Sequence, residues 1–172
     1  MLNENYCIDL QRITPHLDSP IPVQARFFLK EGVLQKVELA KSAPQDKNVW
    51  YINSQSTDNQ SIEKVEEWVY VYFNGGPAPD LEMLYPPFAF TRKVLEELSL
   101  IPFGKTLSYK EVAERIGRTG SYRAVAGACS RNLVPLVIPC HRVIASDGSL
   151  GGFSAGEGVK ERLLLLESKF RI

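Results

Sequence analysis

Residues 108–132 read SYKEVAERIGRTGSYRAVAGACSRN, and this pattern predicts two helices joined by a glycine turn. Ser108 can cap the first helix, and Glu111 follows three residues later to complete a capping box. Gly117 and Gly120 enclose the turn, and the second helix is rich in small residues. This order is typical of a helix-turn-helix, although most paired helices simply pack together, so DNA contact stays one of two interpretations.

Two further helices are predicted on either side of this pair. Residues 91–98 place Val94, Leu95 and Leu98 on one face, and a Pro-Phe-Gly turn at 102–104 ends that helix. Residues 159–168 form the last predicted helix, and they include four consecutive leucines. We expect this last helix to be buried on more than one side.

The first half of the chain predicts strands followed by one helix. Residues 23–29 and 33–39 flank a short loop that contains Gly32, as in a hairpin, and residues 49–52 add a third strand. Apolar residues then recur at helical spacing through residues 62–72, with Ser61 in the position of a helix cap. These residues contain no catalytic constellation, so we expect a supporting role.

A stretch rich in glycine and proline, from Gly75 to Pro87, divides the chain into two predicted domains. We predict an α+β fold, with a small sheet-plus-helix domain at residues 1–86 and a mostly helical domain at 87–172 that carries the DNA-binding helix-turn-helix. Gly75 or Gly76 would end the helix of the first domain.

Charge differs between the two halves although the net charge is zero. Residues 1–87 hold 7 Lys and Arg against 12 Asp and Glu, and residues 88–172 hold 13 against 8, giving −5 and +5. A basic second half indicates contact with nucleic acid, while scatter between two solvated surfaces explains the same numbers. With 172 residues, 44% of them apolar, the composition excludes disordered and collagenous classes.

No apolar run approaches the ~20 residues that cross a bilayer, and the N-terminus lacks the pattern of a signal peptide. We therefore expect a cytoplasmic protein without membrane contact. Cys7, Cys129 and Cys140 form no C-x-x-C pair, which argues against disulfides and a structural zinc site. A metal would have to gather His16 with Cys7 and the adjacent Cys140 and His141, so we expect none.

An apolar run at residues 133–138 leads into the sequence Pro-Cys-His-Arg at 139–142. Pro139 restricts the backbone before Cys140, and the cationic neighbours His141 and Arg142 can favour the nucleophilic thiolate. A buried structural cysteine is the commoner fate of such a residue, so this motif alone leaves both interpretations open.

Taken together, the motifs of residues 86–172 closely resemble the O6-alkylguanine-DNA alkyltransferase family. They comprise Ser108-Tyr109, residues 123–128, Asn132, residues 134–135, residues 138–143, Gly151-Gly152-Phe153-Ser154 and residues 159–167. The resemblance implies a DNA-repair protein that acts as a monomer on double-stranded DNA, without a cofactor. Such a protein flips O6-alkylguanine, and more weakly O4-alkylthymine, out of the duplex. It then transfers the alkyl group irreversibly to its own cysteine in a single turnover.

The resemblance also implies a role for each catalytic residue. Cys140 accepts the alkyl group, and His141 takes the thiol proton, directly or through a water, while Glu167 orients the imidazole. Asn132 fixes the turn around the cysteine, although its position also fits an ordinary helix C-cap. Tyr109 donates a hydrogen bond to the ring nitrogen of the departing guanine.

The DNA- and base-binding residues that the resemblance implies are Arg123, Ala124, Ala126, Gly127, Ser154 and Val143. Arg123 would fill the space that the flipped nucleotide leaves, and the small residues would let the helix enter the minor groove. Gly127 costs about 1 kcal/mol inside a helix, which close approach of DNA or of another helix would offset. This sequence has Ala126 where the family often has a Gly-Gly pair, and Phe153 where some members have tyrosine.

Two other functions fit parts of the sequence. Residues 152–156 match the G-x-S-x-G motif of serine hydrolases, but both histidines precede the serine, which excludes the usual triad order. A DNA-binding module without catalysis would explain the basic half and the helix-turn-helix. It would leave Cys140, His141 and Glu167 without a role.

Overall fold

The computed structural model describes residues 4–15, 21–43, 49–55, 59–74, 78–156 and 158–169. They form two compact units that divide between Leu84 and Tyr85. The first unit combines a sheet with helices and the second is mostly helical, which confirms the predicted α+β class. His16, Gly75 and Gly76 lie outside the described residues.

The sheet of the first unit has four strands in the order β1-β4-β2-β3. Their bounds are β1 Glu4–Asp9, β2 Val23–Lys30, β3 Val33–Lys41 and β4 Val49–Ser54. β1 pairs antiparallel with β4, β4 pairs parallel with β2, and β2 pairs antiparallel with β3. Alternate residues of β2 are buried, as expected for a sheet with one face against a core.

A tight turn joins β2 to β3 and confirms the predicted hairpin. Lys30 pairs with Val33, so Lys30 belongs to the strand and the loop has two residues, Glu31 and Gly32. Both have positive φ, 52° and 82° respectively. A type I′ turn requires positive φ at both central positions, and its twist matches that of the flanking strands.

Helix α2 (Asn59–Asn74) buries its apolar face, and aromatic rings fill this core. The ring centroids of Trp50 and Phe73 lie 5.2 Å apart. Trp50 Nε1 also donates a 2.9 Å hydrogen bond to the carbonyl oxygen of Val23. The prediction of Ser61 as the cap is wrong, because the helix already includes Asn59.

Two elements of the first unit were not predicted, β1 and the one-turn helix α1 (Leu10–Ile13). β1 is an edge strand with a polar sequence, ENYCID, so its apolar alternation is weak. α1 is too short to show a helical period, although Asp9 caps it by accepting from the amide of Gln11.

The second unit contains four helices, two short strands and one 3-10 helix among its described residues. They are α3 Ala89–Ser99, β5 Leu107–Ser108, α4 Tyr109–Arg115, α5 Tyr122–Ser130, the 3-10 helix Cys140–Arg142, β6 Val143–Ile144 and α6 Val159–Lys169. The helix-turn-helix outline is confirmed in α4 and α5. The capping box is also present, with Ser108 Oγ accepting from the amide of Glu111 and Glu111 Oε2 accepting from that of Ser108.

The short strands bring distant parts of the second unit together. β5 pairs parallel with β6, matching Leu107 to Val143 and Ser108 to Ile144. Tyr109 follows β5 directly and the 3-10 helix precedes β6 directly. The pairing therefore joins the strand before α4 to the strand that follows the Pro-Cys-His-Arg segment.

Helix α6 is buried on one side only. Leu163 and Leu166 are buried, but Leu165 is 54% exposed. The prediction that this helix is buried on more than one side is therefore wrong. The buried side also contains Lys160 and Glu167, which the apolar run does not indicate. In the described part of the chain, no helix combines the length and apolar character needed to cross a membrane.

Candidate active site

Asn132 holds both ends of the loop that leads to Cys140. Its Oδ1 accepts from the amide of Val134 at 3.1 Å, and its Nδ2 donates to the carbonyl oxygen of Ile138 at 2.9 Å. The side chain is 6% exposed, so loss of these bonds would leave buried polar groups without partners. The cap of α5 is Arg131, so Asn132 is a loop residue rather than the C-cap.

Pro139 turns the backbone directly before the cysteine. Its φ of −80° and ψ of 60° are those of an inverse γ-turn. Across this turn, the amide of Cys140 donates to the carbonyl oxygen of Ile138 at 2.8 Å. The fixed φ of proline thus sets the direction in which the Cys140 side chain leaves the loop.

The sulfur of Cys140 is buried and accepts a hydrogen bond. Asn132 Nδ2 lies 3.1 Å from Cys140 Sγ, and the residue is 3% exposed. Burial raises the pKa of the thiol to about 11, while the Asn132 bond and the positive charge of Lys160 act in the opposite direction. The resting group is therefore a thiol, and reaction requires removal of its proton.

Glu167 lies at the centre of a buried charge cluster. Its Oε1 is 2.7 Å from His141 Nε2, and Arg142 donates to both of its oxygens at 2.9 Å. The amide of Gly104 adds a bond to Oε2 at 3.0 Å. Burial alone would raise the pKa of Glu167, but the bonds and charges of His141 and Arg142 lower it to about 2. Glu167 is therefore ionised at neutral pH.

His141 is neutral in this setting. Burial lowers its pKa below 6.5, against the opposing effect of the Glu167 carboxylate, whose charge Arg142 already balances. An ionised carboxylate can only accept, so Nε2 carries the proton and Nδ1 has a free lone pair. Among the described residues, Nδ1 has no hydrogen-bond partner. His141 is thus a base whose acceptor nitrogen is available.

Lys160 is the buried cation that acts on the thiols. It is 2% exposed, and its Nζ donates to the carbonyl oxygens of Val143 and Leu150. Nζ also lies 5.7 Å from the centroid of the Tyr109 ring. We expected His141 and Arg142 to favour the thiolate. Lys160 does so instead, because His141 is neutral and Arg142 is paired with Glu167.

A cavity of about 330 Å³ lies against Cys140, the candidate nucleophile. Its lining residues are Tyr109, Ala126, Cys129, Ser130, Cys140, Gly152, Phe153 and Ser154. Burial raises the pKa of Tyr109 to about 12, helped by the two cysteines, so its phenol is a protonated donor. The φ of Gly151 is 65°, and a Cβ there would lie 3.2 Å from Tyr109 Oη, so glycine lets the loop approach this ring.

The small-residue helix α5 presents an open face. A Cβ at Gly127 would meet only the side chain of Arg131 within 4 Å, at 3.5 Å, among the described residues. Close packing of another helix therefore does not explain this glycine. Ala124 is exposed, and the exposed Arg123 has its Cζ 5.8 Å from the centroid of the Tyr122 ring.

The structure brings only some of the predicted residues to the cavity. Those that line it are Tyr109, Ala126, Cys140 and Ser154, whereas Asn132 donates to the Cys140 sulfur and Glu167 binds His141, the next residue in the chain. Val143 has a buried side chain and does not line the cavity; its carbonyl binds Lys160. Lys160, Cys129 and Ser130 were not predicted. A lysine in an amphipathic helix gives no sequence signal of burial.

The described residues place no three His, Cys, Asp or Glu side chains where they could hold a metal ion. Cys140 and Cys129 are buried free thiols and Cys7 is an exposed one. The metal alternative through His16 lies outside the described residues.

The family model and a relative that match this chain are both described as methyltransferases, of 6-O-methylguanine DNA and of methylated DNA respectively. The family model for the 6-O-methylguanine DNA methyltransferase, DNA binding domain, matches residues 89–169. A methylated-DNA--protein-cysteine methyltransferase from Methanothermobacter thermautotrophicus is 43% identical over 119 residues. That match covers 67% of this chain and 66% of the relative, just under two thirds of its length.

Solved structures are similar over most of the chain. The Mycobacterium tuberculosis OGT in complex with DNA has a TM-score of 0.62 and 27% identity, covering 85% of this chain and 93% of that one. The M. tuberculosis O6-methylguanine methyltransferase has a TM-score of 0.62 and 28% identity, covering 86% and 93%.

Proposed function

This chain belongs to the O6-alkylguanine-DNA alkyltransferase (methylated-DNA--protein-cysteine methyltransferase) family, and we propose that it repairs DNA by transferring the alkyl group of O6-alkylguanine to Cys140. One observation carries the proposal. Cys140 lines a cavity of about 330 Å³, and the neutral base His141 follows it in the same 3-10 helix. A non-enzymatic DNA-binding module would need neither group.

The proposed reaction is a displacement at the alkyl carbon. The thiolate of Cys140 attacks that carbon, a carbon–sulfur bond forms, and the bond to guanine O6 breaks with its electron pair leaving on the base. The proton from the thiol ends on the released guanine, so the products are S-alkylcysteine and guanine. The alkyl thioether is chemically stable, so each molecule acts once.

His141 Nδ1 takes the thiol proton in this scheme. No direct hydrogen bond joins Cys140 to His141 in the described residues, so of the two predicted routes we favour a relay through a water. Glu167 then stabilises the imidazolium through its 2.7 Å contact with Nε2. Lys160 lowers the free energy of the thiolate while the proton is away.

Substrate binding uses the cavity and the open face of α5. The phenol of Tyr109 donates to the ring nitrogen of the flipped base, and Ser154 faces its O6 atom. Arg123, at the second position of α5, fills the stack where the base has left, while Ala124, Ala126 and Gly127 admit the helix to the minor groove. Val143 follows the 3-10 helix of Cys140 and is not a lining residue of the cavity, and we assign to its backbone the predicted contact with the base edge.

We further propose that the protein acts as a monomer without a cofactor, because one copy of the chain supplies every group of the step, and that it does so in the cytoplasm. Within it, residues 87–172 form the DNA-binding and transfer domain, and residues 1–86 support it. O4-alkylthymine is the weaker second substrate.

Intact mass spectrometry tests this proposal. The protein is incubated with a duplex containing one O6-methylguanine, then digested for peptide mapping. We expect a mass gain of one CH2 unit per molecule, because a methyl group replaces the thiol hydrogen, and we expect it only in the peptide that contains Cys140 and not in those with Cys7 and Cys129. C140A should bind DNA without being methylated, and C7A, at an exposed thiol, should react like the wild type. Multiple turnovers, or unmodified wild-type protein, would refute the proposal.

A further inference from the structure

The helix-turn-helix region carries positive charge that is only partly neutralised. Between Glu114 and Asp147 the sequence has no acidic residue but five arginines. Arg115 contacts Glu97 at 3.4 Å and Arg142 binds Glu167. Among the described residues, the other three, Arg118, Arg123 and Arg131, have no carboxylate partner.

Arg131 differs from the other two because its side chain is held in place. Its Nε and Nη2 donate to Thr91 Oγ1 on α3, at 3.3 and 3.1 Å. Thr91 is 1% exposed, so the anchor belongs to the packed core. On the other side, the Nη1 atom of Arg131 lies 3.5 Å from where a Cβ of residue 127 would be. The guanidinium therefore lies against α5 beside Gly127, at ordinary van der Waals distance from where a Cβ would be.

This arrangement fixes a cation without neutralising it. A threonine hydroxyl supplies hydrogen-bond geometry but no negative charge, and the planar guanidinium keeps further N–H donors for an outside acceptor. Because the side chain is already ordered, binding an anion costs less conformational entropy than it would for a free arginine. Arg131 is exposed and lies about 12 Å along the helix axis from Arg123, eight residues earlier.

We propose that Arg131 binds a backbone phosphate of duplex DNA at the C-terminal end of α5, with Thr91 as its positioning residue. The inference rests on the proposed function, since it takes duplex DNA as the partner of the α5 face. Arg123 then contacts the site of the lesion, while Arg131 fixes the helix on the duplex two turns away. Phosphate contacts set orientation without reading sequence, which suits a protein that acts on damage anywhere.

The test is the salt dependence of binding to an undamaged duplex, measured by fluorescence anisotropy. Each phosphate contact contributes about 0.9 to the slope of log K against log salt. R131A should therefore reduce the slope by about 0.9 and weaken binding at low salt by about tenfold. T91V should weaken binding less than R131A does, because it frees the arginine without removing its charge. R115A is the charge-matched control, and its slope should stay close to that of the wild type.

A wild-type slope for R131A, or equal losses in R131A and R115A, would overturn the inference. Wild-type affinity in T91V would overturn the positioning role of Thr91. Alkylation of Cys140 in the wild-type protein is measured in parallel. If the wild-type protein transfers alkyl groups but the salt slope of R131A is unchanged, only the phosphate contact of Arg131 is rejected. If the wild-type protein transfers no alkyl groups, the proposed function is rejected.

Discussion

The two units bury different kinds of side chain. In the first unit, the largest buried groups are Trp50, Phe27 and Phe73, and the buried polar residues described there are neutral, Thr14 and Ser54. In the second unit, the buried set includes His141, Arg142, Lys160 and Glu167. Burying charge costs free energy that an aromatic core does not require. The second unit therefore carries groups that stability alone does not explain, and one of them, Lys160, acts on the Cys140 thiol through its charge.

Glu167 gives the largest expected effect, because it balances the charge of Arg142. E167Q leaves that cation without a carboxylate in a buried site, which typically costs about 3–5 kcal/mol of stability. The pKa of Glu167 is lowered to about 2 in the folded protein, against 4.5 ordinarily. Its contribution is thus complete above pH 4.5 and is lost as the pH falls towards 2. Urea unfolding followed by circular dichroism at several pH values measures both effects.

The matched control comes from the aromatic core. W50F removes part of a buried ring but no titrating group, so its loss of stability should be the same at pH 7 and pH 4. Both tryptophans, Trp50 and Trp68, lie in the first unit, so tryptophan fluorescence reports on that unit alone. A loss in E167Q that does not shrink as the pH falls from 4.5 would contradict the low pKa of Glu167.

Arg123 tests the open face of α5. R123A should reduce transfer from a duplex by about tenfold or more relative to transfer from free O6-benzylguanine, because only the duplex requires base flipping, which costs a few kcal/mol. Stopped reactions with each substrate, followed by protein mass, give the two rates. R118A removes the same charge from the turn between α4 and α5 and should show a smaller difference. Equal losses on both substrates would argue against the stack-filling role.

Lys160 gives a smaller, pH-dependent effect. Without its charge, the pKa of Cys140 should rise further, so K160M should react more slowly at pH 7.5, by a factor on the order of ten. Raising the pH should recover part of the rate. K110M removes an exposed lysine of α4 and serves as the charge-matched control. A K160M rate equal to that of the wild type at pH 7.5 would contradict the effect of the Lys160 charge on the thiol.

The sequence predicted elements whose signals are local. The hairpin, the capping box at Ser108 and the helix-turn-helix follow from adjacent residues and regular spacing. The cysteine and its histidine were identified through a motif of consecutive residues. Lys160 was missed because its burial depends on carbonyl groups 17 and 10 residues away, at Val143 and Leu150. The raised pKa of Cys140 was missed for the same reason, since burial is a property of the packed unit.

Substitutions in the turn between β2 and β3 should have the smallest effect, and that effect is on the stability of the first unit. Glu31 has a φ of 52°, a left-handed conformation that costs a residue with a Cβ about 1–2 kcal/mol. Asparagine tolerates this conformation better, and Asn-Gly is the preferred pair of a type I′ turn. E31N should therefore stabilise the first unit by up to about 1 kcal/mol, measured by urea unfolding followed by tryptophan fluorescence. G32A places a Cβ at a φ of 82° and should lower the free energy of unfolding measured by the same fluorescence signal. A higher free energy of unfolding in G32A would contradict the assigned turn.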